Sequence, residues 1–491
     1  MKTALKISLW FLCFALCASS GFAQAAYDVT LLGIAGSFGM ASVSDLNKWG
    51  QIVGQDSNSF NPSALLWTPT VPNGATGTSY TLSSASGFPA GSASSYPSGL
   101  NDRGQVTGTA YTPGKGDGNQ NQSWMWRPNP LNSTKGVLNG SIGKAVTYPQ
   151  VNIPGLGSTA EYNDHINNNG TIVASGSYYH TLLWTPSVKN GLTGTWTYEP
   201  VYCAPPAAIN DAGQFAGGTC ESGSENVPYL HAGALPLLAS DLITSPLWVQ
   251  PPTPNYIGST GGMNQNGDLA VSASSIVQFI RAYLYKNGAA TDVSGGQDSR
   301  ASGINDYDQI VGWTTATVNA SLFENGQVIN LNTVITPPIP PVSYWLKYGV
   351  RINNAGQIIC NGLYFNGGEF GTPAAFLLTP LVVNASNQVA VARGPITRVG
   401  STYYQTITLT NNGTNIAGPV SLVLDSLASG VILTNASGTV TYAPPVGSPY
   451  IDFSSGDFGP GAVDTVTLTF SDPAHVQINY ATRILAGNAL R

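Results

Sequence analysis

The stretch Ala301-Ser302-Gly303-Ile304-Asn305-Asp306-Tyr307-Asp308-Gln309-Ile310-Val311-Gly312 reads as two short apolar strands joined by a turn, and it recurs along the chain. Asn at the head of a turn accepts hydrogen bonds from backbone N–H groups two residues on. A type I turn favours Asn or Asp first and Gly fourth. Here the fourth place is Asp308, a residue type that tolerates left-handed geometry better than most; the other copies have Gly. Ile310 and Val311 suit a pleated, buried surface, and Gly312 permits close backbone approach. Aligned on the Asn, the copies start at Asn47, Asn101, Asn167, Asn210, Asn264, Asn305 and Asn353, about 51 residues apart on average.

A second strand signal follows each turn: a small residue, two bulky ones and usually an aromatic. Ala64-Leu65-Leu66-Trp67, Ser123-Trp124-Met125-Trp126, Thr181-Leu182-Leu183-Trp184 and Ala320-Ser321-Leu322-Phe323 are examples. A 40–50-residue period with several short strands per unit is the mark of propeller blades. The aromatic ends (Trp67, Trp126, Trp184, Tyr285, Phe323) read as packing between blades. Residues 27–32 alternate in the manner of a strand, whereas the seventh copy shows no clear last strand. The first strand is therefore expected to complete the last blade and close the ring, which also covers exposed edges.

Composition points the same way. Of 491 residues only 9% are charged, with 57 Gly and 33 Pro; a typical soluble domain has about 25% charged residues. Turn-rich, neutral, β-rich structure is expected, in two or three domains by length. The net charge of −6, without any Lys/Arg cluster, offers no footprint for nucleic acid. Residues 1–25 read as a secretory signal peptide: Lys2 and Lys6, an apolar run over 7–18, then Ala23-Gln24-Ala25. No other segment approaches the length needed for a membrane span. The expected location is secreted, extracellular or periplasmic.

From about residue 382 the pattern changes to several short alternating strands, such as 403–410 and 465–470. This points to an immunoglobulin-like β-sandwich over 382–491. The expected fold is thus all-β: a seven-bladed β-propeller over residues 26–381, then the sandwich. Residues 112–122 and the Pro-rich segment from 336 read as loops.

Gly303 to Gly312 and Gly99 to Gly108 fit Gly-Ile-Asn-Asp-x-Gly-Gln-Ile-Val-Gly. His180-Thr181-Leu182-Leu183-Trp184 and Ser63-Ala64-Leu65-Leu66-Trp67 fit a strand of the His-Ala-Phe-Leu-Trp type. The chain thereby resembles the bacterial extracellular HAF-family repeat over most of residues 27–380. That resemblance implies an exported bacterial protein and a propeller, with no established chemistry. The C-terminal part resembles Ig-like modules at the ends of other bacterial secreted proteins.

Chemistry is sparse. Beyond the signal, Cys203 and Cys220 bracket the fourth copy and are candidates for a disulfide; Cys360 reads as a small buried filler. No Cys/His spacing resembles a metal site, no calcium loop is present, and no cofactor motif is found. No nucleophile elbow or phosphate loop is seen, so no catalytic residues are assigned. His165 lies in the densest ionisable cluster, Glu161-Tyr162-Asn163-Asp164-His165; it reads as a solvated turn, with acid–base work as the lesser alternative. His180 and His231 read as packing or rim residues. Trp248, Tyr256, Trp345 and Tyr348 lie in Pro-rich or irregular segments and are the candidate ligand-binding aromatics. The expected function is a non-enzymatic binding or scaffold protein whose partner is a glycan or cell-surface protein. The alternative is a carbohydrate-active hydrolase or lyase with carboxylates converging on one propeller face.

Overall fold

The computed structural model describes residues 26–36, 39–56, 61–82, 94–112, 120–128, 144–147, 160–176, 181–191, 193–198, 205–221, 225–232, 258–274, 279–324, 326–336, 341–416, 418–441, 443 and 445–487. The expected signal peptide, Cys203, His180, Trp248 and Tyr256 lie outside the described residues, as does the side chain of Cys220 and with it the expected pairing.

The chain is all-β, and its strands make many small antiparallel sheets. Each Asn-led unit forms one sheet of three or four strands. Sheet 1 comprises Ser42–Leu46, Ile52–Gln55, Ala64–Pro69 and Gly77–Thr81. Sheets 2 to 6 follow in order, starting at Ser94–Leu100, Ala160–Ile166, Pro206–Ile209, Gly258–Met263 and Ser299–Ile304. Sheet 7 joins both ends of the array. Its order is Tyr27–Ile34, Thr372–Pro380, Ile358–Asn366, Val342–Ile352. Tyr27 lies opposite Pro380 and Leu31 opposite Phe376, so the first strand completes the last unit, as its alternation and the missing strand led one to expect.

The cores lie between successive sheets, not within them. Val53, Ala64 and Leu66 pack on Val106, Trp124 and Trp126. Met125 packs on Ile172 and Trp184, and Ala270 and Ala282 on Ile310 and Phe323. Sheet 7 shares one core with sheet 6 (Tyr27, Leu322, Phe376) and another with sheet 1 (Ile52, Trp67, Leu377). The strand-ending aromatics serve as inter-sheet packing, since Trp67, Trp126, Trp184 and Phe323 are buried. His231 is buried too, with its ring 5.0 Å from Phe215. Cys360 is a free, fully buried filler whose thiol is pushed up by burial.

Two further sheets hold the C-terminal strands. One has the order Val383–Asn384, Ala481–Ala486, Val420–Asp425, Pro449–Ser454, Gly438–Thr439; the other Val389–Val399, Thr402–Asn411, Val463–Ser471, Ile432–Leu433. Ile407, Leu409, Leu422, Leu468 and Phe470 from both sheets share one core.

Two loop expectations are corrected. Residues 120–122 begin the strand Gln120–Arg127, and Val342–Ile352 is an eleven-residue strand. The second was hidden because register shifts at Leu346/Tyr348 and Gly349/Arg351 break the period-2 pattern by which strands are read.

Candidate functional site

The Asn that heads each unit does two things. In the sixth copy, Asn305 Oδ1 accepts the N–H groups of Tyr307 (3.1 Å) and Gln309 (3.1 Å), fixing the turn. Its Nδ2 donates to Gln309 Oε1 (2.8 Å) and to the Asn353 carbonyl of the next unit (3.2 Å). The inter-unit bond recurs from Asn47 to Asn101, Asn101 to Asn167, Asn167 to Asn210, Asn264 to Asn305, and Asn353 back to Asn47. At the remaining step, Asp211 N–H donates to Gln265 Oε1 (2.9 Å) instead. The fourth turn position has positive φ throughout: six glycines between 76° and 86°, and Asp308 at 63°.

The residue after each Asn makes a second circuit. Lys48 N–H donates to Asp102, Asp102 N–H to Asn168, Asn168 N–H to Asp211, Gln265 N–H to Asp306 and Asp306 N–H to Asn354. These side chains and the first strand of every one of the seven sheets line a single cavity of about 410 Å³.

Each of those first strands is bulged against its neighbour near the middle, between Val43/Asp45, Pro97/Gly99, Tyr162/His165, Pro206/Ala208, Thr260/Gly262, Ala301/Gly303 and Gly349/Arg351. A bulge re-aims the side chains around it. Ser44, Ser98, Ala207 and Gly261, the extra residues of four bulges, line a second cavity of about 510 Å³, with Tyr96, Pro97, Thr109, Pro206, His165 and Arg351.

Arg351 and His165 border both cavities. Arg351 Nε lies 3.4 Å from Asp45 Oδ1, and its Nη1 donates to the Ser302 carbonyl (2.5 Å) and the Val350 carbonyl (3.0 Å). Asp45 also accepts the Leu46 and Leu100 N–H groups; burial raises its pKa, partly offset by Arg351 and those two bonds. His165 lies on the strand Ala160–Ile166, not in a solvated turn. Its pKa is lowered to about 3, first by burial and then by Arg351, so the imidazole is neutral near neutral pH. The polar residues at 161–165 read as a turn because the bulge at Tyr162/His165 interrupts a strand that borders the cavities.

The two described candidate aromatics come together. Trp345 and Tyr348 are both on Val342–Ile352, each 37% exposed, and the bulge between Leu346 and Tyr348 resets the pleat between them. Trp345 Nε1 donates to Asn319 Oδ1 (3.1 Å). Lys347 Nζ lies 5.4 Å from the Trp345 ring centre and 5.5 Å from that of Tyr348. Trp313 from sheet 6 stands edge-on to Tyr348 at 5.2 Å. Trp313 went unnoticed in the sequence because it follows the unit-ending Gly312 and carries no periodic signal.

Among the described residues no group of three or more His, Cys, Asp or Glu is arranged to hold a metal ion, and no helix is long and apolar enough to cross a membrane. No protein-family model matches the chain, and no curated protein matches it.

Proposed function

We propose that the chain is an exported, non-enzymatic binding or scaffold protein that takes an extracellular ligand, a polysaccharide or a surface protein, on the Trp345–Tyr348 face. Residues 26–381 are read as a closed seven-bladed β-propeller with a HAF-type repeat as its blade, and residues 382–491 as an immunoglobulin-like sandwich acting as spacer or adhesion module. The returning Asn-to-Asn bonds, the cavity lined from seven sheets and the pairing of Tyr27–Ile34 with Thr372–Pro380 support that reading of the fold.

The observation that carries the function is the face itself: exposed aromatic rings with an amide and an ammonium alongside. Stacking of sugar rings needs aromatic faces near polar partners. The Lys347 contact is worth only about 0.5–1 kcal/mol at an exposed site, so the ammonium gives way to a sugar at little cost and can then meet its hydroxyls. The hydrolase alternative needs two free carboxyl groups in one pocket. At the cavity mouth both oxygens of Asp102, Asp211 and Asp306 are already engaged by neighbouring N–H or amide groups, which favours binding over acid–base work.

Affinity electrophoresis and array binding across neutral and acidic polysaccharides and surface proteins test this. A retained ligand is expected, with binding at least tenfold weaker in Trp345→Ala and Tyr348→Ala, about 1.4 kcal/mol or more. Failure to retain anything across a broad array contradicts it.

A further inference from the structure

We infer that the second cavity, at the bulges of six of the seven first strands, is a separate binding site for one residue of a neutral carbohydrate. Its size is right: about 510 Å³, within the range of small-ligand sites. Its chemistry is mixed. Among the described residues the hydroxyls of Ser44, Tyr96, Ser98 and Thr109 and the ring nitrogens of His165 make no hydrogen bond, and Thr109 is only 5% exposed. Hydroxyls both donate and accept, and a neutral imidazole offers one donor and one acceptor. Arg351 adds its Nη2 edge, since its bonds run through Nε and Nη1. Tyr96 is 43% exposed and supplies a ring face.

The charge balance excludes ionic ligands as the best fit. Arg351 is answered by Asp45 at 3.4 Å, and His165 stays neutral well below neutral pH. An anion entering here finds a guanidinium already paired with a carboxylate, and a cation finds Arg351 on the wall and no carboxylate among the lining residues. A polyol satisfies these donors and acceptors without adding charge. This site does not depend on the Trp345 face.

Saturation-transfer NMR and calorimetry on the full chain test it, with the methyl glycosides of glucose, galactose, mannose and N-acetylglucosamine, and with glucuronate and glucosamine as charged comparators. The expected result is saturable binding of at least one neutral glycoside, on the order of millimolar as befits so small a ligand. Tyr96→Ala and His165→Ala each weaken it tenfold or more with an unchanged melting temperature, while Trp345→Ala leaves it intact. No saturable binding of any neutral glycoside, binding untouched by both cavity substitutions, or a tenfold preference for glucuronate or glucosamine overturns the inference. Loss of polysaccharide binding in Trp345→Ala alone reports on the face and not on the cavity.

Discussion

Asn305→Ala is expected to destabilise the protein by about 3–5 kcal/mol, because it orphans several buried groups at about 1–3 kcal/mol each. Asn305 is 3% exposed. Its loss strips the Tyr307 and Gln309 N–H groups of their acceptor and the Asn353 carbonyl and Gln309 Oε1 of a donor. Asn305→Asp separates hydrogen bonding from lost volume. It keeps the two acceptor bonds but points a carboxylate oxygen at the Asn353 carbonyl, so it too is expected to destabilise near neutral pH. Thermal melts of both variants check this. If Asn305→Asp melts with the parent, the inter-unit bond contributes nothing.

Glu324→Gln is expected to stabilise the protein by up to about 3 kcal/mol at pH 8 and to change little at pH 4. Glu324 is 6% exposed. Its Oε1 accepts Gln309 Nε2 at 3.1 Å, and its Oε2 is buried without a partner. Burial raises its pKa from 4.5 to about 7. The folded state therefore keeps the proton between those values while the unfolded chain releases it. Stability is full below pH 4.5, falls as pH rises, and is lost by about pH 7; each pH unit is worth about 1.36 kcal/mol. The amide resembles the protonated acid in shape and is likewise uncharged, though it leaves two donors unmet where the acid leaves one, so the two proteins come close at low pH. Melting temperatures compared at pH 4 and pH 8 decide the matter. An equal difference at both pH values would falsify the raised pKa.

The sequence disclosed what repeats with simple chemistry. A turn-forming Asn, a glycine at positive φ and a strand ending in a buried aromatic recur in register, and each does locally what its residue type dictates. The structural partner of Asn was also on view: Gln recurs four residues on, at Gln51, Gln105, Gln214, Gln309 and Gln357, and accepts the Asn amide. That recurrence is the signal for a buried amide pair.

What stayed hidden was set by bulges and edges. Ser44, Ser98 and His165 line the second cavity beside bulges in the first strands, which no periodic pattern registers. Val389–Val399 was missed because it is an edge strand, mostly exposed, interrupted by Gly394 and Pro395. Pro is tolerated at an edge, yet it erases the alternation that betrays a strand. Pro449–Ser454 was missed because only Ile451 of its six residues is buried. Trp345 and Tyr348 were placed in an irregular segment, since the bulge between them hid the strand that presents both rings.

Closure of the seven units is tested most directly by a cross-link between its two ends. Asp28 lies opposite Thr379 on neighbouring antiparallel strands, where facing Cα atoms are about 4.5–5.5 Å apart, within reach of a disulfide. The protein carrying Asp28→Cys and Thr379→Cys is expected to form an intramolecular disulfide in the folded state under mild oxidation, and far less of it in urea. Two thiols that stay free in the folded protein, or that join only between molecules, would contradict a closed array.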